Sequence, residues 1–183
     1  MFLTIDDFVA TWTPESEATS KVLAGLNDSA LVQRIDPDYR SLGELAWHLV
    51  TVMPDMLGQA GLSVLGPSTD TPPPNIRAIA HEYKRLASSI PGCVRAKWND
   101  QNLGGSIAMY GQQWPRRQVL ARLVLHQVHH RGQMIVLMRQ AGLKVPAIYG
   151  PVKEDSAAPS DAAAPSGAAP TGGAGSKGKE SKP

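Results

Sequence analysis

Apolar residues recur at three- and four-residue spacings along the first 150 or so positions, separated by polar or proline-rich intervals. That rhythm predicts helices rather than strands. Thr4, with Asp7 three residues on, reads as an N-cap, and Phe8, Trp12, Val22, Leu23 and Leu26 then follow at roughly helical spacing over 4–26. Pro14 is expected either to kink this element or to start a second piece of it. Residues 27–40 are polar, contain Asp36-Pro37-Asp38 and read as a connector. Ser41 and Glu44 form a capping box ahead of the stripe Leu42, Leu45, Leu49, Val52 and Met56, with a kink expected at Pro54. A proline-rich loop covers 66–74, and Asn75 caps a third helix whose face is Ile76, Ile79, Tyr83, Leu86 and Ile90. Pro91-Gly92 is expected to end it. Pro115 opens the last helix at its first position and Gly142 closes it. No segment alternates convincingly enough to be a strand. Four helices without a sheet predict an all-α four-helix bundle.

The bundle is expected to occupy 1–152. From Lys153 to Pro183 the chain is almost all Ala, Pro, Gly, Ser, Lys and acids, a composition expected to leave a disordered tail. Charges within that tail cancel, so the net charge of +2 belongs to the bundle. No basic block interleaved with aromatics is present, and nucleic-acid binding is not expected. The start, Met1-Phe2-Leu3-Thr4-Ile5-Asp6-Asp7, lacks the apolar core of a signal peptide, and no apolar run is long enough to span a bilayer. Cys93, at the expected end of the third helix, is the only cysteine; no internal disulfide can form, and a cytoplasmic setting is expected.

Chemistry concentrates in His126-Gln127-Val128-His129-His130-Arg131-Gly132-Gln133, which holds three of the five histidines. His126 and His130 lie four apart on one helix face, in line with Leu123 and Leu137, and such a pair can bind one metal ion. His48 follows Leu45 by three residues and precedes Val52 by four, so it also points inward. One imidazole from the second helix and two from the fourth would make a three-histidine site with a free fourth position, the open geometry of catalytic zinc. No Glu follows His126, which excludes the HExxH protease arrangement, and no pair of Glu-x-x-His motifs indicates a di-iron centre. His129 is turned about 100° from His130 and is expected beside the site or on the surface. Gln133 could orient a ligand or contact substrate, or simply hydrogen-bond between helices, and Asp55, seven residues after His48, could be a fourth ligand or, beside Pro54, a capping or solvated residue. The connector over 92–114, with Trp98, Leu103, Met109, Tyr110 and Trp114, is long enough to be packed down and to line the pocket mouth. His81 is expected to be solvated, and Cys93 to be a small buried hydrophobe.

At Ser41-Leu42-Gly43-Glu44-Leu45-Ala46-Trp47-His48-Leu49, at the HxxHHRGQ stretch just given and at Ala141-Gly142-Leu143-Lys144-Val145-Pro146-Ala147-Ile148-Tyr149-Gly150, the chain resembles the DinB/YfiT-like family of metal-dependent bundle proteins. The resemblance spans roughly 1–152. It implies an up-down-down-up bundle with a zinc- or nickel-like divalent ion on His48, His126 and His130, and is compatible with a homodimer. It further implies a small-molecule substrate and a low-molecular-weight thiol, as in the thiol-dependent transferases and isomerases of that family. The other reading of the same residues is a non-catalytic metal-binding module serving stress response or interaction.

Overall fold

A computed structural model describes residues 2–155. Four helices, α1 (Ile5–Ala24), α2 (Leu42–Gln59), α3 (Ile76–Lys97) and α4 (Arg116–Gln140), surround one apolar core. A two-stranded hairpin, β1 (Ser106–Met109) and β2 (Gln112–Pro115), sits between α3 and α4. The N-caps stand where side-chain chemistry puts them. Thr4 and Ser41 each complete a capping box, with Asp7 and Glu44, and the Asn75 side chain accepts from the Ala78 N–H at 2.9 Å.

Each of α1 and α2 packs on both α3 and α4. The helix ends give the directions. Ile5 N–H donates to Asp100, just past the end of α3, so α1 and α3 run oppositely. Lys97, at the end of α3, donates to the Gly61 carbonyl just past α2, so those two run alike. Gly25, after α1, packs close to Met138 near the end of α4, so these also run alike. The bundle is therefore up-down-down-up. Residues 60–75 must return along the roughly 33 Å of a 22-residue helix. They do so pinned to the bundle: Trp47 Nε1–H donates to Thr69 O and Arg85 to Leu65 O, while Gly66 lies so close to the Pro54 ring that a side chain there would clash.

Four points settle or change the expectations. First, of the two readings of Pro14 the single helix holds: α1 runs through it rather than starting a second piece there. Second, α3 runs through Pro91-Gly92 to Lys97, so Cys93 lies half-buried inside a helix rather than at its end. A proline at 91 strips the Ala87 carbonyl of its helical donor; Trp12 Nε1–H supplies a replacement at 2.9 Å, buried, and the helix continues. Third, strands exist, paired antiparallel from Met109 opposite Gln112 to Ser106 opposite Pro115. Tyr110 (φ 49°) and Gly111 (φ 77°) form the positive-φ two-residue turn that suits a hairpin. Pro115 closes β2 and stands one residue before α4, not inside it. Fourth, Lys153–Asp155, assigned above to the tail, form a short 3-10 turn tied back by Arg139–Glu154 at 2.8 Å. The remainder of the expected tail, 156–183, lies outside the described residues. No helix among the described residues is long and apolar enough to cross a membrane.

Candidate metal centre

The inner stripe of α4 is Leu120, Leu123, Val124, Gln127, Arg131, Met134 and Met138, so two polar residues share it with hydrophobes. His126 and His130 flank that stripe on the side facing α2. The carboxamide of Gln127, fully buried, stitches the junction: Tyr83 O–H donates to its oxygen at 3.0 Å, and its nitrogen donates to the Leu49 carbonyl at 3.4 Å. Sequence reasoning passed over Gln127. The signal was its place seven residues after Leu120, where helical periodicity demands burial.

Opposite, His48 projects from α2. The Nε2 atoms of His48 and His126 stand 3.3 Å apart, and those of His130 and His126 2.9 Å apart. The three residues offer ligand atoms that all fall within 4.8 Å of one another. Two nitrogens on one tetrahedral zinc stand roughly 3.3 Å apart, so the donor set fits a single ion. His130 Nδ1 and Gln133 Oε1 are 2.7 Å apart, an arrangement that places the ring proton on Nδ1 and leaves the Nε2 lone pair facing the centre. Gln133 Nε2 lies 3.3 Å from His129 Nε2 and can donate to it. His126 Nδ1 is buried with no partner among the described residues, so that side of the ring is positioned by packing rather than by a hydrogen bond.

Burial lowers the pKa of His48 to about 4, helped by the positive charge of Arg40 and by the neighbouring imidazoles. Burial, then His130, His129 and Arg40, lower His126 to about 4 as well. His130 is pushed down by burial, against an upward pull from its bond to Gln133. All three rings are thus neutral near pH 7, the state in which imidazole ligates a metal. Because folded His48 and His126 resist protonation until about pH 4 while unfolded histidine takes a proton near 6.5, the unfolded state binds more protons in between. The chelator-treated chain is therefore expected to lose melting temperature as pH falls from about 6.5 to 4. Scanning calorimetry of His48→Gln/His126→Gln beside wild type checks this; a double variant with the same acid slope would refute it.

Asp55 does not join the cluster. It is exposed, its carboxylate engaged by Tyr110 O–H at 3.0 Å and Gln59 Nε2 at 3.2 Å, and it borders the same cleft as His48, about 520 Å³ in volume. His129 is exposed and touches the centre only through Gln133 and the edge of the His130 ring. The hairpin lines the mouth as expected of its connector: Gln112 and Trp114 border the depression that His126 and His129 face. Trp98, Leu103 and Met109 are buried as packing residues, and His81 is exposed.

The model of the DinB family matches residues 1–166. The chain belongs to the DinB family. A Bacillus subtilis (strain 168) relative, YrdA, is 41% identical over 158 residues, covering 86% of this chain and 95% of its own. Among solved structures, a DinB-like protein from Bacillus cereus ATCC 10987 is 40% identical with a TM-score of 0.77, covering 81% of this chain and 100% of that one. A second DinB-like protein, YjoA of Bacillus subtilis, has a TM-score of 0.61 at 16% identity over 78% of this chain and 97% of that one, a likeness of fold alone. This DinB-family chain therefore combines an up-down-down-up bundle with a histidine triad able to hold a metal ion.

If Gln133 fixes the His130 tautomer, Gln133→Leu is expected to weaken zinc binding by about 10–100-fold while leaving the fold intact. Competition against a chromophoric chelator measures this, and an unchanged affinity would remove Gln133 from the site.

Proposed function

We propose that this chain is a metal-dependent enzyme acting on a small electrophilic substrate with a thiol or water as nucleophile, of the thiol S-transferase, isomerase or hydrolase type. His48, His126 and His130 would hold one divalent ion, zinc or nickel. The observation that supports this most is that three neutral imidazoles, with no carboxylate among them, meet where three clefts open to the surface. Neutral donors leave the full ionic charge undiminished, and a divalent ion so held brings a bound water or thiol toward ionisation near neutral pH. The chain's own residues do the rest. Gln133 orients His130. Asp55, steadied by Tyr110 and Gln59, presents a fixed carboxylate to the His48 cleft, suited to holding a polar group of a substrate. Trp47 and Val52 give that cleft its apolar wall. We read the setting as cytoplasmic and a homodimer through helix faces as compatible with it.

The test is elemental analysis of protein purified without a histidine tag, followed by assays of glutathione, bacillithiol and mycothiol consumption with and without chelator. About one ion per chain and chelator-sensitive thiol consumption or hydrolysis are expected. A stoichiometric ion with neither activity would leave the non-catalytic module as the surviving reading.

A further inference from the structure

Beside the triad lies a feature that metal binding does not use. Between the loop ahead of α2 and the outer face of α4 is a cleft of about 300 Å³. Leu45 and Leu137 make its buried floor; Ile35, Tyr39 and Val136 make walls that are 69%, 67% and 49% exposed. Single exposed hydrophobes are ordinary, but three of the nine large ones among the described residues gather at this cleft. His130 and Gln133 close one edge, and Arg40 stands on the rim, shared with the cleft in front of His48. Among the described residues no carboxylate lies within ion-pair distance of Arg40. Glu44, the carboxylate whose charge Arg40 senses, is already held by Arg34 and Ser41, so a guanidinium without a contact partner stands beside an apolar trough and offers a planar fork for an oxyanion. The volume is at the lower end for ligand pockets, which suits a small body rather than a protein segment.

We infer that this cleft binds a small amphipathic anion, with an aliphatic or aromatic body against Ile35, Tyr39 and Val136 and a carboxylate or similar oxyanion on Arg40. Its edge is His130, so a molecule seated there lies next to the triad. As the class of electrophilic substrate, the inference rests on the enzyme reading given above; as a binding site, it stands without a metal.

Isothermal titration of octanoate into the chelator-treated full chain tests it near neutral pH. Octanoate is expected to bind, and its Kd to rise by about tenfold or more in Arg40→Gln and in Val136→Asp. Octanol is expected to lose affinity in Val136→Asp only. Both positions are exposed, and circular dichroism checks that the helices persist. No octanoate binding, or equal affinity in wild type and both variants, overturns the inference. So does a wild-type dimer that Val136→Asp converts to monomer in sedimentation without any octanoate uptake, because the cleft would then be a contact between copies. Zinc uptake by the same protein once the chelator is removed reports separately: octanoate binding by a chain that then takes no zinc upholds the cleft and overturns only the enzyme reading.

Discussion

His126→Ala is expected to weaken zinc or nickel binding by more than about a hundredfold. His126 is the middle donor, 3.3 Å from the His48 nitrogen and 2.9 Å from that of His130. Its removal leaves two imidazoles on opposite helices. Loss of an outer hydrogen-bond partner alone costs about 10–100-fold in metal affinity, and loss of a direct ligand must exceed that. Linkage gives a second readout. A ligand that binds only the folded state stabilises it by about 4 kcal/mol at a thousand times its Kd, and by about 1.4 kcal/mol once the Kd has risen a hundredfold, so the metal-induced rise in melting temperature should fall to about a third or less in the variant. His129→Ala is the control. It removes a neighbouring imidazole that is exposed and reaches the centre only through Gln133 and ring-edge contact, and it should change affinity far less. If His126→Ala retains wild-type metal content, the triad is not the binding site.

The triad was legible because both of its spacings are helical. His126 and His130 are one turn apart, and His48 falls between apolar residues three before and four after it, so each lies toward the interior whatever the bundle's exact geometry. The N-caps were legible for the same local reason. What was not legible depended on distant partners. Pro91 reads as a helix end until Trp12, 75 residues away along the chain to Ala87, is seen to bond the carbonyl that the proline frees. The hairpin was missed because strands of four residues give alternation too few repeats to register, even with Gly111 at the turn. Asp55 has the right helical phase for a ligand but sits two turns below His48, where Tyr110 of the hairpin claims its carboxylate. Periodicity places a side chain on a face; it does not say how far along the axis the neighbour's matching group lies.

Glu15→Ala is expected to destabilise the bundle by about 3–5 kcal/mol, the usual cost of leaving a buried partner charge unpaired. The Arg131 side chain is only 2% exposed and that of Glu15 17%. On the inner stripe of α4, Arg131 reaches across to α1: Nη2 pairs with the Glu15 carboxylate, while Nη1 donates to the Glu15 carbonyl at 2.8 Å and to Thr19 Oγ1 at 3.1 Å. Tyr149, after α4, closes the knot by donating to Glu15 Oε2 at 2.7 Å. Alanine at 15 keeps the backbone carbonyl but strands the guanidinium without a counter-charge, next to the Tyr149 hydroxyl. For a chain of this size each kcal/mol moves the melting temperature by about 2–4 °C, so calorimetry should show a fall of about 10 °C. Replacing both charges, as in Glu15→Leu/Arg131→Met, should recover most of it, since well-packed apolar pairs commonly match buried ion pairs in stability. The single variant, held below its melting point, should bind metal as wild type does, because neither Glu15 nor its partners in the knot contribute a donor to the triad. A shift under about 3 °C would mean that water reaches Arg131 in solution and that the α1–α4 seam is held by its hydrophobes alone.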